Sequence, residues 1–306
     1  MESWRRNPLV FWVTGLPPTA WLLLFFLVPL ALVWVLSFAE LRGVVEMEVT
    51  GTFANYVRAL DPLYLQIFGK SFVFAGLTTL VSLVFGFPVA LAIVFAPRRW
   101  RAVLLLLVIL PFWTNLLIRT YALIAVLRTR GFVNFTLEWF WEKANAVLSL
   151  LGLGSFQLLG ERFEPLELLY NNTAVVIGLV YVHLPFMVLP LYASLEKLDR
   201  SLIEAALDLG ASQFRAFATV VVPLALPGII SGAILVFIPA LGSFLTPDLL
   251  GGTDSQMIAN VIERQFKSAN DWPFGSALSF LLMYLTFGAL ALRALYTRRT
   301  AGQGRA

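Results

Sequence analysis

The chain contains no cysteine and a single histidine, His183, among 306 residues. Disulfides, thiolate nucleophiles and cysteine-based zinc sites are thereby excluded. Histidine-cluster metal sites and a Ser-His-Asp arrangement are excluded too, unless His183 acts alone. Charge is also scarce: Asp, Glu, Lys and Arg make up 13% of residues, where a soluble domain carries about a quarter. What is present is apolar, with 59% hydrophobic residues, 26 of them phenylalanine, and a mean hydropathy of +0.83. A chain of this composition cannot hide its apolar surface by folding on itself, so a lipid bilayer is its natural solvent. The isoelectric point near 9.5 would suit nucleic acid, but the basic residues fall in short clusters between apolar runs. No nucleic-acid partner is expected.

Residues 7–39, 71–96, 102–118, 171–195, 216–247 and 272–292 contain no Asp, Glu, Lys or Arg. A helix needs about 20 apolar residues to cross the hydrocarbon core. The pattern predicts an all-α membrane protein with spans near 16–37, 71–96, 102–124, 173–195, 225–246 and 274–292, Arg119 marking the far end of the third. Pro29, Pro88, Pro111, Pro185 and Pro239 interrupt these helices, as membrane helices tolerate. Gly228 and Gly232 form a Gly-x-x-x-Gly pair that marks close helix packing. With the N-terminus inside, inner segments hold 12 basic residues in 63 positions and outer segments 10 in 114. Arg98-Arg99-Trp100-Arg101 is the strongest single signal. The positive-inside rule therefore puts both termini in the cytoplasm.

Three short patterns imitate something else. Ser37-Phe38-Ala39 resembles a signal-peptidase site, but the apolar region before it is far longer than a signal peptide's. Asn134-Phe135-Thr136 and Asn171-Asn172-Thr173 are glycosylation triplets short enough to arise by chance. Gly69-Lys70-Ser71 matches the end of a phosphate-binding loop, yet Tyr64 stands where its first glycine is required. The chain itself is expected to bind no cofactor.

The most informative stretch is the loop 199–223, between the fourth and fifth spans. Ser201 and Glu204 have the spacing of a capping box. Leu202, Ala206 and Leu209 form one apolar stripe, Gly210 stands where a left-handed residue ends a helix, and Ser212 can cap the next helix, which Pro223 terminates. These features predict a small amphipathic helix on the cytoplasmic face. Physics alone does not distinguish a partner-docking surface from an ordinary interfacial helix.

Glu204-Ala205-Ala206, three residues, Gly210, nine residues and Val220-x-Val222-Pro223 resemble the EAA loop of ABC-importer permeases, with Val replacing the usual Ile and Leu. In that family the loop is a coupling helix docked on an ATPase. The resemblance covers nearly the whole chain. Leu110 through Tyr121, Pro247 through Gly252, Asn260 through Phe266 and Asp271 through Gly275 are similar to signatures of polyamine permeases, as in the first permease subunit of spermidine/putrescine importers. Permeases for phosphonates, opines and other organic ions share parts of these motifs. The resemblance implies a type I (MetI-like) permease fold in a bacterial inner membrane, as one transmembrane domain over 1–306. It implies a second homologous permease, a periplasmic substrate-binding protein and a dimer of ATPase subunits that hold ATP and Mg²⁺. Docking would fall on Glu204, Ala205, Ala206, Asp208, Leu209 and Gly210.

A small organic cation needs carboxylates, carbonyls or aromatic faces along its path. Trp113, Asn115, Tyr181, His183, Phe244 and Asp248 are the candidates. For Trp113 and Tyr181, helix packing or interface anchoring is the commoner role, and Asp248 can simply cap a turn. His183 is the only titratable side chain well inside a span, which points to function, although a neutral histidine bonded to a neighbouring helix is an equal reading. An ion-coupled secondary transporter would need ionisable residues in its spans and two similar halves; the spans hold no carboxylate and show no internal repeat. A non-transporting scaffold would not need the EAA-like spacing, and an enzyme would need a nucleophile–base pair, metal cluster or phosphate loop.

Overall fold

The computed structural model describes residues 8–43, 46–150 and 163–303; the ends of the chain, on which the terminal orientation bears, lie outside them. Helix α1 (Pro8–Leu22) passes through a π-helical turn, Leu23–Leu27, into α2 (Val28–Leu36). Strands β1 (Ala39–Arg42) and β2 (Glu46–Val49) form an antiparallel hairpin with Ala39 opposite Val49. Then come α3 (Ala54–Ala59), α4 (Pro62–Phe95), α5 (Arg98–Ile109), α6 (Leu116–Leu127) and α7 (Phe132–Leu150). The rest comprises α8 (Asn172–Leu195), α9 (Arg200–Asp208), α10 (Gln213–Ala216), α11 (Val222–Leu241), α12 (Leu245–Leu250), α13 (Ile258–Lys267) and α14 (Trp272–Gln303).

Four helical stretches are long and apolar enough to cross a membrane: Trp12–Leu36, Pro62–Phe95, Asn172–Leu195 and Gln213–Leu241. The third expected span is not one straight helix. Arg98–Trp113 and Leu116–Leu150 meet at a 96° bend, and the expected span 102–124 runs across the break. Pro111 opens a 3₁₀ turn, Leu110–Trp113, and Thr114 is extended. Asn115 then starts a new helix by accepting the Leu117 N–H on its side chain at 2.8 Å. The proline and the Asn cap act together, so the helix breaks where either alone would bend it. The last expected span, 274–292, is represented by a shorter apolar stretch, Trp272–Gly288, inside α14.

The described residues divide into two compact units, 67–260 on one side and 1–66 with 261–306 on the other. The core of the first is built from α4, α8 and α11: Phe87, Ala90 and Ile93 pack with Met187, Val188, Leu191, Leu195, Ala225 and Val236. Glycines set the spacing. A Cβ on Gly228 would stand 2.6 Å from the Ser194 Cβ and 2.7 Å from the Pro190 carbonyl, and one on Gly232 would stand 2.7 Å from the Met187 sulfur. The Gly-x-x-x-Gly pair thus lets α11 lie directly on α8. In the other unit Arg58 on α3 pairs with Asp271 at 2.7 Å and lies 3.9 Å over the Phe274 ring. The other Asp271 oxygen accepts the Phe274 N–H at 3.2 Å, so the motif beginning at Asp271 clamps the start of α14.

Both π-helical turns end two residues before a proline, Leu27 before Pro29 and Val221 before Pro223. A proline ring clashes with the carbonyl four residues back; widening the turn moves that carbonyl aside and lets the helix continue. Pro223 was expected to terminate the second loop helix and does not: Gln213–Leu241 is continuous through it.

The glycosylation triplets have structural work. Asn134 is buried and donates to the carbonyls of Thr129 and Leu166 at 3.0 and 2.9 Å. Asn171 caps α8 by accepting the Ala174 N–H at 2.9 Å. Gly69-Lys70-Ser71 lies inside α4; Lys70 donates to the Asp254 carbonyl and Ser71 accepts the Ile258 N–H.

Candidate functional site

The loop between α8 and α11 is a helix, a glycine turn and a second helix. Its N-cap is Asp199, not Ser201: the Asp199 carboxylate accepts the Ser201 N–H at 3.0 Å. That hydrogen bond holds the carboxyl below the usual aspartate range, the Ser201 side chain adding to the effect. Asp199 outcompetes Ser201 because a charged acceptor also meets the positive end of the helix dipole. At the other end Gly210 has φ +84°. Its N–H donates to the Leu207 carbonyl at 2.9 Å and that of Ala211 to the Ala206 carbonyl at 3.0 Å, the two bonds of a Schellman motif. Ser212 then caps α10, accepting the Arg215 N–H at 3.3 Å.

The apolar face of α9 differs from the expected stripe. Ile203, with Leu198 before it, packs against the core, and Ala206 is half-buried. Leu202 lines an open groove of about 550 Å³ with Pro190, Ser194, Lys197, Leu224 and Gly228. Leu209 is 88% exposed. The inward face thus keeps Ala206, takes Ile203 in place of Leu202 and leaves Leu209 outside. Glu204, Ala205, Asp208, Leu209 and Gly210 all stand outward. Phe214, 80% exposed, joins them; a large apolar residue just after an N-cap serine was the available signal for it.

The pathway candidates are not gathered into one cluster. Trp113 is 74% exposed at the helix break, and Asn115 is spent on its cap. Tyr181 and Phe244 are each partly exposed, Asp248 lies outward on α12, and Asn260 donates to the Phe244 carbonyl at 2.8 Å. His183 is buried, with Nδ1 donating to the Leu179 carbonyl of its own helix at 2.8 Å, not to a neighbouring one. Its ring lies 6.2 Å from Phe186, which meets Phe112 edge-on at 5.3 Å. Arg119 follows at 5.9 Å from the Phe112 ring. Arg119, expected to mark the far end of the third span, is 7% exposed.

Four helices of bilayer length mark a multi-span membrane protein. The chain belongs to the family described as binding-protein-dependent transport system inner membrane component, which matches residues 82–301, and it is a multi-pass inner-membrane protein. It is 42% identical over 262 residues to the spermidine/putrescine transport system permease protein PotB of Escherichia coli (strain K12), covering 86% of this chain and 88% of that protein. It is 30% identical over 299 residues to the inner membrane ABC transporter permease protein YdcU of the same organism, covering 93% and 90%. A bacterial alginate ABC transporter, crystallised with an alginate pentasaccharide-bound periplasmic protein, shares the fold with TM-score 0.67 at 15% identity over 98% of each chain.

Proposed function

We propose that this chain is one of two homologous permease subunits of an ATP-driven importer of polyamines such as spermidine and putrescine. The observation that carries the substrate class is the 42% identity to a spermidine/putrescine permease over 86% of the chain. In this reading the α9–α10 loop is cytoplasmic. Glu204, Ala205, Ala206, Asp208, Leu209 and Gly210, with Phe214, dock on a dimer of ATPase subunits that holds ATP and Mg²⁺. The Schellman turn and the two caps support that role, since they fix a short helix that is too small to be stable alone. The second permease completes the pathway, and a periplasmic binding protein delivers substrate from outside.

Polyamine ammonium groups would meet Trp113, Tyr181, Phe244 and Asp248 along the way, with Asn115 shaping the helix break and His183 holding Phe186 in place. Pro185 lacks an N–H, which frees the Tyr181 carbonyl as a further acceptor. ATP-driven closure of the ATPase dimer opens the pathway outward and hydrolysis resets it, each ligand binding the two states with different affinity. Reconstitution of all four components tests the reading: spermidine or putrescine should stimulate ATP hydrolysis. Gly210→Trp and Glu204→Lys should abolish that stimulation without affecting membrane insertion. Stimulation by another organic ion alone would reassign the cargo, and coupled turnover by both variants would remove the docking assignment.

A further inference from the structure

Helix α6 runs from the middle of α8 to its first turn. At its start Phe112, beside the break, meets Phe186; at its end Leu127 packs with Ala174 and Leu250. The 24 residues of α8 make it about 36 Å long, a little more than the hydrocarbon core of about 30 Å. Its first turn therefore stands at a membrane–water interface, the one opposite the α9–α10 loop. There the chain turns sharply. The Gly131 N–H donates to the Arg128 carbonyl at 2.7 Å, and a Cβ on Gly131 would lie 2.6 Å from the Val126 carbonyl. Helix α7 begins one residue later and has 19 residues. Standing upright, it would carry its side chains about 28 Å out into water.

The three sides of α7 differ. One is covered by this chain: Asn134 bonds both backbone groups of Leu166 at 2.9 Å, and Trp141 lies 6.4 Å from Phe163. A second is polar, with Glu138, Glu142, Asn145 and Ser149 recurring at i, i+4, i+7 and i+11. The third is apolar. At about 100° per residue, Phe132, Phe135, Trp139 and Val147 fall on one face, away from Trp141 and Asn134. All four are exposed, Phe132 to 71% and Phe135 to 69%. Lys143 is the one charge in that row, and its Nζ lies 5.8 Å from the Trp139 ring. A lysine so placed can lay its stem on an apolar surface while its ammonium reaches the headgroups.

An apolar aromatic row alongside an acidic row is the pattern of a helix lying in a bilayer interface. The row is also continuous with embedded structure, since it starts where α6 reaches the end of α8. We propose that α7 lies flat in the leaflet opposite the α9–α10 loop, with the lipid surface as its partner. The Phe132–Val147 row sinks to the boundary of headgroups and acyl chains, and the Glu138 row faces water. Through Asn134 and Leu166, this anchor holds the segment that leads into α8 at a fixed depth. The inference is independent of the cargo.

Because the chain has no cysteine, single-cysteine variants of the full chain can each carry one spin label. Phe135→Cys, Trp139→Cys and Val147→Cys sample the apolar row; Glu138→Cys, Glu142→Cys and Ser149→Cys sample the polar one. All six positions are exposed, so the labels should leave the melting temperature unchanged. The labelled chain is reconstituted in lipid nanodiscs, alone and with the second permease and the ATPase. Labels on the apolar row should collide several times more often with oxygen, which dissolves in lipid, than with a water-soluble nickel chelate. Labels on the polar row should show the reverse, and both results should hold for the chain alone. Equal nickel access along the two rows would overturn the proposal. Lipid-like access at all six positions would overturn it too, by placing α7 across the bilayer. Protection of the apolar row only when the second permease is present would assign that row to a protein contact instead.

Discussion

The carbonyl of Ala206 accepts the N–H of Ala211 at 3.0 Å, and the chain between them turns through Gly210 at φ +84°. Nothing lies within 4 Å of the position a Gly210 Cβ would occupy. Substitution there is therefore a matter of conformation alone, costing about 1 kcal/mol for Ala and more for a β-branched residue. Gly210→Asn should retain most coupled ATP hydrolysis in the assembled complex and Gly210→Val the least. Equal coupling in both would separate the turn from the docking function.

Gly228 and Gly232 should respond differently to a methyl group. At Gly228 it would meet the Pro190 carbonyl and the Ser194 Cβ, which are fixed to α8; at Gly232 it would first meet the end of the Met187 side chain. Gly228→Ala should destabilise the chain by about 1–3 kcal/mol, read as a lower melting temperature in detergent, and Gly232→Ala by less. The reverse order would show that α8 and α11 shift apart freely.

The π-helical turn Phe217–Val221 connects the docking loop to α11. Deleting Ala218 should remove the residue that the widened turn absorbs, which leaves α9 and α10 nearly in register with α11 but brings the Pro223 ring against the carbonyl four residues back and kinks the helix. Membrane insertion should persist while substrate stimulation of ATP hydrolysis is lost. Thr219→Ala, which removes only the 2.7 Å bond to the Arg215 carbonyl, should leave both insertion and stimulation unchanged.

Asp199 gives the loop a pH dependence of defined sign. Its carboxyl is held below the ordinary value of 3.8 by the Ser201 N–H. A depressed value means the cap acts fully above the unfolded-state pKa and is lost as pH falls through the folded one. Amide exchange over Ser201–Glu204, corrected for intrinsic rates, should be flat near neutrality and rise only below about pH 4. Asp199→Asn keeps an acceptor and should abolish the rise; persistence would remove the assignment to this cap.

Much of this was legible in the residues. The charge-free runs located the long helices of α4, α8 and α11, and Gly210 and Ser212 marked the loop's turn and second cap. The errors share a cause: competing local signals of similar strength. Asp199 and Ser201 both suit an N-cap, and Leu202 and Ile203 both stand at helical spacing from Ala206. Pro223 reads as a terminator unless a widened turn precedes it, which no periodicity announces. Hairpin β1–β2 carries Glu40, Glu46 and Glu48 and lacks a clear alternating face, so no strand pattern announces it. The break at Thr114 has local causes in Pro111 and Asn115 that a charge count passes over, and the burial of Arg119 depends on which helices pack around it.

Leu209 and Phe214, at 88% and 80% exposure, place two large apolar side chains at the tip of a short polar-capped turn. In the docking proposed above, the ATPase covers this knob. A copy of this chain synthesised without its partners displays it continuously, and exposed apolar patches of that kind promote nonspecific association. The abundance of this subunit therefore has to track that of whatever covers the tip, which makes balanced synthesis of the complex a requirement set by two side chains.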